Sequence, residues 1–272
     1  MNASDEIWIR IGCFAGVLLL MAAWEWLAPR RKLSLQRPWR WSSNLGLLVV
    51  NSLLVRLLVP LTAVGGAELA RSHGWGLLNL VDWPSWLEVS LSVLILDLAI
   101  FAQHVTFHKI PWLWRLHMVH HADLDFDVTT GLRFHSLEIF LSAVVKLAVI
   151  GLLGPAAVAV VIFEVLLNAT SMFNHSNVRM PGPVERLLRT VLVTPDMHRV
   201  HHSVLRSESN SNFGFNLPWW DYLFRTYVAE PQQGHEGMVI GLEDWRDEHQ
   251  TERLPGMLSL PFRSPSKNAP GL

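Results

Sequence analysis

Long apolar runs alternate with short polar segments along this chain, and the runs predict its architecture. Ile7 to Ala28 is the first, of membrane-spanning length, with Glu25 near its end. Leu45 to Val64 is the second, interrupted by Arg56 and Pro60. An arginine in such a run must snorkel, face the protein interior, or mark a tilted helix. Gly65 to Trp86 reads as a polar, glycine-rich connection on the outer side. Leu87 to Phe101 is a third run, short unless it starts near Trp86 and continues into Gln103 and His104. Leu137 to Val149 and Pro155 to Leu167 form an apolar helical hairpin turned at residues 151–155, whose arms either cross a bilayer or re-enter from one face. Both ends of such a hairpin share one side, which puts His135 and His175 together.

The pattern predicts an all-α integral membrane protein with four to five spanning or re-entrant helices. We expect one domain over 1–272. It comprises membrane helices over 7–106, the hairpin over 136–173, a helical cap over 174–228 and a polar tail over 229–272, disordered from Ser264 onward.

Composition agrees with a bilayer environment. Half of the 272 residues are hydrophobic and only 17% are charged, against about 25% in soluble domains. The net charge of −1 gives no pull towards nucleic acid, and no basic patch is interleaved with stacking aromatics. The single cysteine, Cys13, excludes an intramolecular disulfide and a thiolate metal site, so any metal must be held by nitrogen and oxygen. Trp24, Trp26, Trp39, Trp41, Trp83, Trp86, Trp112, Trp114, Trp219 and Trp220 flank the apolar runs as an interfacial aromatic belt would.

Orientation follows from charge. Asp5 and Glu6 precede the first run where a signal peptide would be basic, so an uncleaved anchor is expected. Arg30, Arg31, Lys32, Arg37 and Arg40 crowd the next loop, a marker of the cytoplasmic side. Alternation from there returns the chain to that side at His104.

The chemistry lies in the histidines. His104 to His121 holds five of the thirteen, and His198, His201 and His202 repeat the H-x-x-H-H spacing of His117, His120 and His121. At this histidine content one such spacing arises by chance about 0.03 times. Residues four apart share a helix face, so His104 and His108 can reach one metal, and each triplet fans three imidazoles over one turn. Thr194-Pro195-Asp196 supplies a cap and first turn for the helix carrying the second triplet. Eight imidazoles are too many for one tetrahedral zinc and suit two metals. His175 is a further candidate ligand. His135, Asp97 and Asp196 are candidates for ligand or outer-shell roles. Asp123, Asp125 and Asp127 read as a solvated loop with one member engaged, and Glu138, Lys146 and Glu164 as structural ion pairing within the hairpin. His73, His235 and His249 read as ordinary polar histidines.

These boxes resemble the fatty acid hydroxylase superfamily, which includes sterol desaturases and alkylglycerol monooxygenases. The resemblance runs from about Leu94 to Val228. It rests on HVTFH at His104, HMVHH at His117, RFHS at His135, FNHSNV at His175, DMHRVHHS at His198 and NSNFGFNLPWWDYLFRTY from Asn210. Ser136 after His135, and Tyr222 and Arg225 in the last box, depart from the usual pattern without touching a proposed ligand.

The resemblance implies a non-haem di-iron centre held by His104, His108, His117, His120, His121, His198, His201 and His202, with His175 joining. It implies O2 as co-substrate, a lipid substrate in the bilayer, and an external ferredoxin- or cytochrome b5-like electron donor. Zinc could substitute, because imidazole suits several metals. Two other classes compete: a zinc-dependent membrane hydrolase, which needs a general base that neither triplet contains, and a metal transporter or electron carrier.

Overall fold

The computed structural model describes residues 3–264, and these are helical throughout apart from turns and isolated bridges. The expected disorder from Ser264 concerns residues 265–272, which lie outside the described residues. Five segments are long and apolar enough to cross a membrane. They contain α1 (Ala3–Leu27), α2 (Arg37–Leu58) with α3 (Ala63–Ser72), α4 (Ser85–Lys109), α6 (Ser136–Leu153) and α7 (Ala157–Asn174), with α5 (Pro111–His121) between the third and fourth. At 1.5 Å per residue, each 18-residue arm of the α6–α7 hairpin spans about 27 Å, close to a hydrocarbon core.

Sequence sets the breaks. Ile110 closes α4 and opens α5 with extended backbone, because Pro111 cannot continue the ladder of α4. The hairpin turns at Gly154, whose left-handed φ of +66° favours glycine. Gly76 approaches it so closely that a Cβ there would lie 2.3 Å from the Gly154 nitrogen.

One element escaped the polarity pattern. The connection after Val64 begins with α3, capped by Thr62, whose Oγ1 accepts from the Gly65 N–H at 3.0 Å. Its Ala63, Gly66, Ala67 and Ala70 face is buried, and α3 packs on α6 and α7. Small residues with no apolar bulk made it look like a loop.

The helices pack α1 on α7, α4 on α7 and α6, and α2 on α6. Outward faces stay apolar: Leu19, Leu20, Leu53 and Leu57 are all more than 60% exposed, as lipid-facing side chains should be. Most of the flanking tryptophans are exposed too, but Trp24, Trp41, Trp114 and Trp220 pack inward. Trp114 was expected with Trp112 at the interface; it stacks near His108 and His121 instead, at ring distances of 4.9 and 5.3 Å.

At the histidine end lies a cap built from α5, the 122–135 segment and residues 175–264. It includes α8 (Gly182–Leu188), α9 (Pro195–His201), α10 (Arg206–Ser209), α11 (Trp219–Phe224), α12 (Gly234–Gly237), α13 (Glu248–Thr251) and α14 (Leu254–Ser259). The stretch from 229, expected as a polar tail, folds back: Trp245, Met257 and Leu260 join Leu47, Met118 and Val119 in one buried cluster.

The acidic run is also a correction. Asp123, Asp125 and Asp127 are all buried. Arg40, itself buried, bonds Asp123 through Nε and Nη2 at 2.9 Å each and Asp127 through Nη1 at 2.6 Å. Asp125 accepts from the Ser34 and Leu35 N–H groups. Arg40 therefore clamps the cap to α2, and it is not a free charge in the basic loop.

Candidate metal centre

Nine histidines converge where α4, α5, α7 and α9 end. His104 and His108 come from α4, His117, His120 and His121 from α5, His175 from the C-cap of α7, and His198, His201 and His202 from α9 and its cap. Thr194 caps α9 through its Oγ1 to the Met197 N–H, with Pro195 in the first turn, as the sequence implies. The rings form two groups, each with ligand atoms within 4.8 Å of one another: His104, His108, His117, His121 and His201, and His120, His175, His198 and His202. Each H-x-x-H-H box is split between them. His117 and His121, four apart, face the first group while His120 turns to the second; His198 and His202 face the second while His201 turns to the first.

Backbone carbonyls fix the tautomers. Nδ1 donates from His104 to Phe213 O at 2.8 Å, from His120 to Arg133 O at 3.1 Å, from His175 to Ser171 O at 2.8 Å and from His201 to Ser211 O at 2.6 Å. A carbonyl only accepts, so each Nδ1 carries the proton and each Nε2 presents a lone pair. His117 Nδ1 is held in the same way by Glu138 Oε1 at 2.7 Å.

The result suits a cation. His120 Nε2 and His175 Nε2 lie 3.0 Å apart, both with lone pairs and no proton between them. Two nitrogens about 2.1 Å from one metal and roughly at right angles sit about 3 Å apart, so this spacing is that of ligands on one ion. The buried Nε2 atoms of His104, His117, His201 and His202 have no hydrogen-bond partner among the described residues. Protonation does not relieve the crowding of His120 against His175, because burial pushes both imidazoles down. His175 and His201 fall to about 3. His120, His121, His198 and His202 are held well below the usual histidine range by burial first and neighbouring imidazoles second. Neutral imidazoles with inward lone pairs are the form that binds metal.

The remaining candidates lie outside both groups. His135 caps α6, accepting from the Leu137 N–H at Nδ1 while Nε2 donates to Leu258 O at 3.2 Å, so both nitrogens are engaged. Asp97 touches no imidazole. It accepts from the Asn216 and Leu217 N–H groups and from Trp220 Nε1 at 2.8 Å, fixing the loop whose Phe213 carbonyl orients His104. Asp196 pairs with Arg199 and Arg30. Glu138 was read as part of the hairpin ion pairing, yet that pairing joins Lys146 to Glu164. The signal for Glu138 was its place three residues after His135, in the first turn of an apolar helix at the histidine end.

A cavity of about 960 Å³ opens beside the first group and reaches His104 and His117. Leu48, Val55, Ile100, Phe107, Ile139 and Leu147 supply its apolar walls from α2, α4 and α6.

The sequence profile of the fatty acid hydroxylase family matches residues 89–226, just over half of the chain and all nine clustered histidines. An ornithine lipid hydroxylase from Rhizobium tropici is 29% identical over 163 residues, 60% of this chain and 47% of that protein. Human alkylglycerol monooxygenase is 30% identical over 173 residues, covering 62% and 36% of the two chains. Human cholesterol 25-hydroxylase is 27% identical over 140 residues, covering 51% and 50%. The match thus spans half or less of the length of these curated relatives. No solved structure matches the chain. With the family profile covering α4 to α11 and every histidine of both groups, the chain belongs to the fatty acid hydroxylase family.

Proposed function

We propose that this protein is a membrane-embedded, O2-dependent lipid oxygenase working at a non-haem di-iron centre. The observation that carries the reading is the pair of histidine groups, lone pairs inward, at the end of an apolar cavity. In this reading His104, His108, His117, His121 and His201 hold one iron, and His120, His175, His198 and His202 the other. When bound, the irons supply the redox step, in which O2, two electrons from an external donor and two protons convert a lipid C–H to C–OH and release one water.

The chain's own residues do the rest. The carbonyls of Phe213, Arg133, Ser171 and Ser211 lock the ring orientations, so no reorganisation is needed when metal enters. Glu138 holds the His117 proton and makes that imidazole a stronger donor. The apolar walls take an alkyl chain out of the bilayer and exclude water beside His104 and His117. The electron donor is a separate protein of ferredoxin or cytochrome b5 type, and the histidine face is cytoplasmic. The relatives named for oxidising ornithine lipids, alkylglycerols and cholesterol support a lipid substrate.

The test is isotopic. Purified protein with iron, a reductant and membrane lipid extract under 18O2 should yield lipid carrying the label from O2. Product that forms without O2, or that takes its oxygen from water, overturns the reading.

A further inference from the structure

The cavity has a second end that the oxygenation chemistry does not use. Away from the histidines it is lined by Glu6, Arg10, Arg56, Lys146 and Glu164. Charge at membrane depth is costly and is kept only where it pairs or faces a cavity. Four of these five satisfy one another. Arg10 Nε bonds Glu6 at 2.8 Å, Arg10 Nη2 bonds Glu164 Oε2 at 2.7 Å, and Lys146 holds the other Glu164 oxygen. The chain Glu6–Arg10–Glu164–Lys146 joins α1, α7 and α6 and is formally neutral.

Arg56 is the exception. It stands in the last turn of α2, lines the same space, and forms no ion pair among the described residues. Three cations against two carboxylates leave this end of the cavity with one unmatched positive charge. Towards the histidines the walls are mostly apolar, interrupted by Asn51, Gln103, Ser142 and Ser171. One end for an anion, an apolar passage and a reaction centre together describe an amphiphile.

We propose that Arg56, backed by the Arg10–Glu164–Lys146 chain, docks the anionic group of a long-chain amphiphile, a carboxylate or a phosphate, whose alkyl chain runs to the histidines. A guanidinium fork matches both groups with two parallel N–H bonds. This names the substrate class for the lipid oxygenase reading and rests on it. It also sets where the chain is oxidised. Glu138, bonded to His117, and Lys146 are eight residues apart on α6, about 12 Å along the helix. The oxidised carbon therefore lies well along the chain, away from the headgroup.

The experiment uses the full iron-loaded protein in phosphatidylcholine nanodiscs with three probes of one chain length: palmitate, hexadecyl phosphate and hexadecanol. Binding is read without O2, by displacement of a fluorescent fatty acid, and the oxidised position is read afterwards by mass spectrometry. At least one anionic probe should bind about tenfold more tightly than the alcohol, as expected for a charge-assisted bond, and which one does so separates carboxylate from phosphate. Arg56→Gln should abolish that preference, and Arg56→Lys should restore part of it. A preference unchanged in Arg56→Gln overturns the proposal and makes Arg56 a residue that snorkels to the bilayer surface. Oxidation next to the headgroup overturns it as well. The two readings fail separately. Arg56-dependent binding with no O2 consumption leaves the docking site and removes the oxygenase, whereas oxidation of all three probes with no Arg56 effect does the reverse.

Discussion

His120 and His121 are joined by one peptide bond, yet their rings stand at 89° and face different histidine groups. An α-helix turns about 100° per residue, so adjacent side chains on α5 diverge onto two sites while His117 and His121 stack on one. The two sites should therefore respond separately to mutation. His121→Ala is expected to weaken metal in the first group, and His120→Ala in the second. Elemental analysis of each variant, with spectroscopy of the remaining ion, should give two distinguishable one-metal species. Identical residual spectra would argue against two separate groups.

Glu138 orients His117 from behind, with 2.7 Å between Oε1 and Nδ1. Glu138→Gln keeps the size but removes the charge that makes the imidazole a strong donor. Loss of such a partner typically costs about 10–100-fold in metal affinity. Competition with a chelator of known affinity should show that loss, with helix content by circular dichroism unchanged.

Asp97 acts at a distance from metal, through the loop that it anchors. Asp97→Ala strands the Asn216 and Leu217 N–H groups and the Trp220 indole N–H without their acceptor. Leaving a buried donor unmade costs about 1–3 kcal/mol, so the thermal midpoint in detergent should drop by several degrees. Because the same loop carries the carbonyl that orients His104, metal should leave Asp97→Ala more readily than wild type. A variant with both stability and metal retention intact would remove Asp97 from the account.

Arg40, buried on α2, and Lys32, exposed on the loop before it, should behave oppositely. Arg40→Ala abandons Asp123 and Asp127 in the interior, and breaking a buried pair in this way costs about 3–5 kcal/mol. It should aggregate or fail to purify as a single species. Lys32, exposed in the loop before α2, should tolerate alanine. Gel filtration of the two variants decides the matter.

Topology gives an independent check. The segment near Asp82 joins two of the five candidate spans at the end away from the histidine cap. A reporter fused after Leu272 should lie in the cytoplasm and one inserted at Asp82 outside. The reverse result would put the metal face outside.

What the sequence disclosed, and what it hid, divides by range. The histidine sites were legible because their spacing is local: i,i+4 on a helix is a statement about one face, and it needed no knowledge of the fold. The turn within residues 151–155 and the cap at Thr194 were legible for the same reason. Lys146 and Glu164 pair, as charges within apolar helices must. The acidic run was misread because its partner, Arg40, lies 83 residues before Asp123 and nothing local announces the pairing. The fold-back of 229–264 was hidden because Ile240, Trp245, Met257 and Leu260 are too sparse to make a period. The split of each triplet between two groups was also beyond spacing alone, since it depends on how α5 and α9 face each other.

The central claim is that the nine clustered histidines hold two metals, and metal content tests it most directly. Protein expressed with ample iron and purified in detergent should carry two irons per chain by elemental analysis. A single tightly held zinc per chain, with no second site filled by added iron, would contradict it.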